Sequence, residues 1–432
     1  MIDEKYQVDH LFLLVGTNPL PNYVAARLLI KDSQQSQIFL VFSDDTSEPR
    51  KALEEVLIEH GYKNFMDVKV DESNPINIRN QIEKYAKDLK GVVGLNYTGG
   101  TKVMAVHAYE MLHELSKPKP DGCNLKVQYS YLDARTLSLN IKEQTSYLDS
   151  VPVGETVQIT IEDVLKLHGR NSKFKNDSLW PQTATILAEL HADAHLHKSW
   201  QKWIGKIFFK EPEWPVEIVS EEWKPWIIDN FVHTEYKRRQ WKTKTQLKET
   251  LLDFPKELVH VGETLLREIG LTNPTNLYQI MQHGSFKRSD DVGKWFEGTW
   301  LESYALLQVQ HLRDKKKYSI GDIARDIQST AGQQVQLDVT FLRGYQLFAL
   351  SCTASSDKDR CKPRLLEAVV RAEQLGGAEA RVGLISCYDN PNILQNEVSD
   401  LLGSKVRVFG RQHLRDLGNY LAEWIEEVSK GK

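Results

Sequence analysis

The chain has 432 residues, of which 41% are hydrophobic and 26% charged, with a formal net charge of −4 at pH 7. That length suits two or three domains, and the balance provides an ordinary globular core while excluding a protein coated in basic surface. No run approaches the roughly 20 apolar residues of a membrane helix, and Asp3, Glu4 and Asp9 do not suit a signal peptide, so a cytoplasmic protein without membrane contact is expected.

In chain order, the first third alternates short apolar runs with helical segments. Leu11 to Val15 reads as a strand that stops at Gly16-Thr17-Asn18-Pro19, and Tyr23 to Ile30 as a helix. Ile38 to Phe42 is a second strand, followed by the polar loop 43–47. Arg50 to His60 is a helix closed by Gly61, and Asn77 to Leu89 another. Val92 to Asn96 is a strand, Thr101 to Leu115 a helix, and Lys126 to Leu132 with Thr136 to Ile141 a closing strand pair. Strands without polar alternation, separated by helices, imply a parallel sheet covered on both faces. Ligands bind such sheets at the carboxyl ends of the strands. Three polar loops fall there: 16–22, 43–47 and 96–102.

The middle, 151–290, is rich in Trp, Lys and Glu and reads as a mainly helical connector, with a weak strand signal at Val216 to Val219. The last third, 291–432, resumes α/β patterning. Val292 to Gln310 is a helix, and Gln333 to Leu342 and Tyr345 to Thr353 form a hairpin around Arg343-Gly344. Lys362 to Leu375 is a helix ended by Gly376-Gly377, Val382 to Ser386 a strand, and His413 to Val428 a terminal amphipathic helix. The expected fold class is therefore α/β, with a Rossmann-like domain over 1–150, the connector, and a second α/β domain.

Asn96-Tyr97-Thr98-Gly99-Gly100-Thr101-Lys102 is the sharpest local signal. Paired glycines let backbone N–H groups approach a phosphate, and the following helix N-terminus adds positive partial charge. The loop has neither Walker A nor G-x-G-x-x-G spacing. A Gly-rich turn with a Thr cap is the plain alternative. With strand ends GTNPLPN and FSDDTS at the same edge, NYTGGTK resembles the CARF domain, the sensor of type III CRISPR defence effectors, over residues 8 to 150. The resemblance implies a homodimer that binds cyclic oligoadenylate, here cyclic tetraadenylate, across its two-fold axis. It makes Asn18, Thr46, Thr98, Gly99, Gly100, Thr101 and Lys102 the ligand-contact candidates.

Metal-dependent phosphodiester hydrolysis needs carboxylates around a divalent cation and a cationic group near the nucleophilic water. Asp338, in Gln336-Leu337-Asp338-Val339-Thr340, shares a strand face with Gln336 and Thr340. The next strand puts Ser351 and Thr353 on one face, and Glu302 lies on the preceding helix. This order resembles the PD-(D/E)xK nuclease core, and GKWFEGTWLE, QLDV, LSCTAS and RAEQLGG resemble nucleases linked to CARF domains. The resemblance implies Mg²⁺ or Mn²⁺ at Asp338 and Glu302 and an RNA or DNA substrate. Ser351 and Thr353 replace the acid and lysine of (D/E)-x-K. Lys362, then Lys358, are the replacement lysines, Glu367 a replacement carboxylate, and Ser351 a replacement hydroxyl. Cys352 is a further metal candidate by position, although a buried small hydrophobe is the preferred reading of Cys352 and Cys361.

None of the four cysteines forms a CxxC pair, so they read as reduced thiols. Tyr236 to Lys244 is basic with interleaved aromatics, a pattern shared by single-strand binding surfaces and solvated helices. His191, His195 and His197 lie near one another, the first two at i and i+4 but without an HExxH pattern, which reads as a partly exposed helix. The reading is a ligand-activated nuclease. Its alternatives are a ligand-sensing binding protein with an inactive nuclease-like domain, and a sensor that destroys its own ligand.

Overall fold

A computed structural model describes residues 2–118, 125–143, 148–170, 172–210, 240–329 and 336–430. The N-terminal region is a seven-stranded sheet of β1 (His10–Leu14), β2 (Gln37–Phe42), β3 (Phe65–Lys69), β4 (Val92–Asn96), β5 (Lys126–Asp133), β6 (Ser138–Glu143) and β7 (Asp149–Pro152). The order is β3-β2-β1-β4-β5-β6-β7. It is parallel from β3 to β5, while β6 and β7 run antiparallel.

Each central strand is apolar on both sides because each side meets a helix layer. Leu11 and Leu13 join Tyr23, Val24, Leu53 and Leu57 in one core. Phe12 and Leu14 join Ile78, Ile82, Met104 and Ala108 in the other. Phe12 stacks on Phe39 of the next strand with ring centroids 4.3 Å apart. The sequence reading finds this sheet except its two edge strands, β3, whose FMDVK buries only Val68, and β7, which buries none of its residues, so that neither has an apolar run.

The second sheet contains β8 (Ser172–Lys175), β9 (Ile320–Ser329), β10 (Gln336–Arg343), β11 (Gln346–Thr353), β12 (Arg381–Ser386) and β13 (Val406–Phe409), ordered β13-β12-β11-β10-β9-β8. The strands β11, β12 and β13 are parallel, and β8 to β11 antiparallel. The predicted hairpin forms around Gly344, whose φ of +54° suits glycine. The strands β8, β9 and β13 and the helix Pro391–Leu402 extend the expected set.

Expected helices differ in extent by up to about a turn, and two of these differences bear on the second sheet. The helix expected from Val292 starts at Ser289, widens into a π turn over Trp295–Thr299, and continues as Trp300–Asp314. The helix expected from Lys362 begins one turn earlier, as Lys358–Gly376, because the Asp357 carboxylate accepts the Asp359 N–H and caps it.

Helices Pro181–His191, Ala194–Phe208 and Val259–Ile269 pack with Trp300–Asp314 around buried Trp200, Trp295 and Trp300. Val216 to Val219, the first four residues of the basic run 236–244, and Trp214, Trp223 and Trp226 lie outside the described residues. The two sheets are held against each other at the hairpin. Tyr345 Oη donates to Asp133 O at 2.8 Å, and Arg343 Nη1 to Arg135 O at 3.1 Å.

Candidate functional site

The first candidate is the crevice between β1 and β4. These strands are parallel neighbours, but the helices that follow them lie on opposite faces of the sheet. The chain therefore parts at their carboxyl ends, where doubly wound sheets hold ligands. Gly99 and Gly100 are required by close approach. A Cβ at Gly99 would sit 2.4 Å from Leu14 O, and Gly100 has φ +72° with Leu14 Cβ 2.8 Å from its missing side chain. Asn22 Nδ2 donates to the same Leu14 O at 2.9 Å. The third loop is thus pressed onto the end of β1.

The hydroxyls at this edge largely shape the loops. Thr101 Oγ1 accepts the Met104 N–H at 3.2 Å and caps the helix Lys102–Leu115. Thr98 Oγ1 accepts the Leu132 N–H at 2.8 Å, and the buried Thr46 Oγ1 accepts the Ser43 N–H at 3.0 Å. Asn18 Oδ1 accepts the Leu20 N–H at 3.1 Å. Lys102 is exposed at the mouth of the crevice, beside the positive end of the helix it begins. The seven predicted ligand residues therefore share one sheet edge, with Thr46 the one most withdrawn from solvent.

The second candidate centres on Asp338 of β10. Its Oδ2 accepts the Cys352 N–H at 2.7 Å and the Ser351 hydroxyl at 3.4 Å. Gln336, Asp338, Ser351, Arg364, Glu367 and Arg371 line a cavity of about 200 Å³ here. Burial pushes the Asp338 carboxyl above the usual range, and the Asp326 charge adds to this, against the Cys352 N–H and the Arg364 guanidinium. Glu302, in the first turn of the helix after the π turn, is pushed well up by burial and then by the charges of Asp338 and Asp326. The structure thus joins Ser351 to Asp338 by a hydrogen bond and sets Glu302 near enough to feel the Asp338 charge.

Asp326 is a carboxylate that the sequence reading missed. The pairs Leu337 with Ile327 and Val339 with Arg325 put it opposite Asp338. It lies at an irregularity between β9 and β8, with φ +53°. Bulges of this kind re-aim side chains. Its Oδ2 meets Lys175 Nζ at 2.9 Å, and its Oδ1 accepts from Gln328 Nε2 at 2.6 Å. The signal is weak in sequence because Ile320–Ser329 mixes Asp, Arg and Gln into a strand.

Lys358 and Lys362 are not brought to Asp338. They grip the two oxygens of Glu397 at 2.8 and 3.1 Å, tying their helix to Pro391–Leu402. On a helix, two residues further on is about 200° around, so Arg364 faces the cavity instead. Glu367 does line the cavity, paired with Arg371. The Cys352 thiol is buried among apolar side chains, and burial with the nearby Asp338 and Glu302 charges raises its pKa well above the ordinary thiol value. Cys352 serves Asp338 through its backbone N–H, with its side chain in the apolar core.

His191 and His197 are buried rather than on an exposed helix, a correction to the sequence reading. Their Nδ1 atoms lie 2.6 Å apart, and His191 stacks on Trp300. With buried Cys387 they form the one group of three His, Cys, Asp or Glu side chains among the described residues whose ligand atoms all lie within 4.8 Å of one another, a spacing that Asp338, Glu302 and Asp326 do not reach. Burial and the neighbouring Arg411 keep both rings neutral, His197 down to about 4. Three donors beside a guanidinium, with both Nε2 atoms unpartnered, lack the outer hydrogen bonds that orient metal-bound histidines. They read as a packed neutral pair.

Residues 11–149 match the family model of the Card1 CARF domain. The expectation raised by the three strand-end loops is met over that stretch. No curated protein sequence matches the chain. Two solved structures share its fold over nearly the whole length. Protein VC1899 from Vibrio cholerae has a TM-score of 0.67 at 16% identity, covering 97% of this chain and 99% of its own. Can2 from Sulfobacillus thermosulfidooxidans, solved in complex with cyclic tetra-adenylate, has a TM-score of 0.63 at 15% identity, covering 96% and 97%.

Proposed function

From the premise of a CARF domain over residues 11–149, we propose that this protein is a cyclic-oligoadenylate-activated, metal-dependent nuclease of type III CRISPR defence. The observation that carries the catalytic half is that burial and neighbouring carboxylate charge raise the carboxyls of Glu302 and Asp338, the second of which lines a cavity. Perturbed carboxylates in a cleft are what phosphodiester hydrolysis requires. The domain division proposed is sensor 1–150, connector 151–290 and nuclease 291–432, with β8 reaching from the connector into the second sheet.

Hard carboxylate oxygens suit Mg²⁺ or Mn²⁺. Like charges held close in a buried site are a set that a divalent cation relieves. Asp338, Glu302 and Asp326 would hold it, their oxygens drawing closer together than they stand without an ion, and when bound it supplies Lewis acidity and a water of lowered pKa. Ser351 Oγ and the Cys352 N–H fix the Asp338 carboxylate from behind.

The activator proposed is cyclic tetraadenylate, supported by the fold shared with Can2, which was solved with that ligand. Small polar loops at the β1–β4 crevice and the helix N-terminus at Lys102 offer donors to its phosphates. A homodimer is supported by Val103 and Val106, which are 40% and 51% exposed beside Lys102. An isologous pairing there would present two copies of the loops to a symmetric ring. The route to the nuclease site runs through Gly377, which sits against Asn18. Gly377 ends the helix whose middle lines the Asp338 cavity. The test is cleavage of labelled single-stranded RNA, single-stranded DNA and supercoiled plasmid with Mn²⁺. Products formed only with activator, and lost on adding EDTA, are expected. Intact substrates despite measured activator binding contradict the reading.

A second reading, a sensor with an inactive nuclease-like domain, is favoured by one observation. Ser351 and Thr353 stand where an acid and a lysine are expected, and both nearby lysines are occupied by Glu397. Absence of metal-dependent turnover on every substrate would support it.

A further inference from the structure

The cavity beside Asp338 has two arginines on one wall. Arg364, Glu367 and Arg371 stand at i, i+3 and i+7 of the helix Lys358–Gly376, so one helix face supplies them all. Arg371 is committed: its Nη1 donates to Gln336 O at 2.8 Å and its Nη2 pairs with Glu367. Arg364 is not. Among the described residues its single hydrogen bond runs from Nη1 to Cys352 O at 3.3 Å, and no carboxylate of those residues lies within ion-pair distance of it. It is exposed at the cavity mouth.

The geometry is one-sided. Cys352 O receives the Arg364 guanidinium, while the N–H of the same residue holds Asp338 Oδ2. A cation with free donors and a fixed carboxylate are thus both set by the backbone of one residue, beside a cavity of about 200 Å³. A guanidinium presents paired N–H groups that match two oxygens of a phosphate, and it cannot lose its charge. Thr353 cannot supply this cation, and Lys358 and Lys362 are tied to Glu397.

We propose that this cavity binds the phosphodiester of a nucleic-acid strand, and that Arg364 grips it in place of the strand lysine. This rests on the nuclease-like reading of the Asp338 site. Hydrolysis and phosphate binding can nevertheless be measured separately.

The experiment uses the full chain with cyclic tetraadenylate and Ca²⁺, and follows fluorescein-labelled single-stranded RNA and DNA 12-mers by anisotropy across a salt series. Arg364→Ala is expected to weaken binding by about tenfold or more, and to flatten the log–log salt slope by about 0.7, the value of one lost phosphate contact on a single strand. Arg364→Lys should retain the slope and lose part of the affinity, since its charge remains and its fork does not. Lys362→Ala, away from the cavity, should bind like wild type. A slope and affinity unchanged in Arg364→Ala, with wild-type thermal stability, overturn the proposal. So does a wild-type protein that binds neither oligonucleotide. Wild type that binds but never cuts with Mn²⁺ overturns the hydrolysis reading alone. A slope that still falls with Arg364→Ala then supports the grip.

Discussion

Replacing Gly377 by alanine isolates the contact between the sensor and the C-terminal domain. Gly377 has φ +67° and ψ −162°, and Gly403 has φ +60° and ψ −145°. Both follow a helix and lie in a region that essentially only glycine occupies, where a side chain costs about 1–3 kcal/mol. Their surroundings differ. A Cβ on Gly403 meets nothing within 4 Å, whereas one on Gly377 meets Asn18 Nδ2 at 2.4 Å, about 1 Å inside ordinary contact. Gly403→Ala therefore carries the backbone cost alone, and Gly377→Ala adds displacement of Asn18. Urea denaturation should show Gly377→Ala as the less stable of the two. Calorimetric titration should show weaker cyclic tetraadenylate binding for Gly377→Ala and wild-type binding for Gly403→Ala. Equal ligand affinity in all three proteins would refute the coupling through this contact.

Asp338→Ala should abolish cleavage and leave cyclic tetraadenylate binding intact, read by product formation and by titration on the same preparation. Without divalent ions, the stability contributed by the raised carboxyls of Glu302 and Asp338 should be greatest below the unfolded carboxyl pKa of about 4. It should fall as pH rises through the folded values, because the native state then binds more protons than the unfolded one. Mn²⁺ should therefore raise the thermal midpoint more at pH 8 than at pH 5, and Asp338→Asn should blunt that difference. Thr101→Ala removes the cap of the helix Lys102–Leu115 and should cost about 1 kcal/mol in urea denaturation.

The doubly wound half was legible because its physics is local. A strand buried on both faces must be apolar throughout, and Leu11 to Leu14 and Ile38 to Phe42 are. The glycine pair in the third loop was legible for the same reason: close approach to Leu14 leaves no room for a side chain. Edge strands obey no such rule, so Phe65–Lys69 passed unnoticed. The second site was harder. Asp338 and Glu302 announce themselves as acids on a strand and a helix, but their partner Asp326 depends on a strand register and a bulge. The replacement cation depends on a helix face. Lys362 and Arg364 are two residues apart in sequence, yet one meets Glu397 and the other the cavity. His191 and His197 look like surface histidines until Trp300 and Arg411 arrive from distant segments to bury them.

The most direct measurement is the rate of nucleic-acid cleavage by the wild-type protein in Mn²⁺, with and without saturating cyclic tetraadenylate. The account predicts that activator raises the rate by at least an order of magnitude and that EDTA returns it to background. A rate that is the same with and without bound activator, whether zero or not, would contradict it.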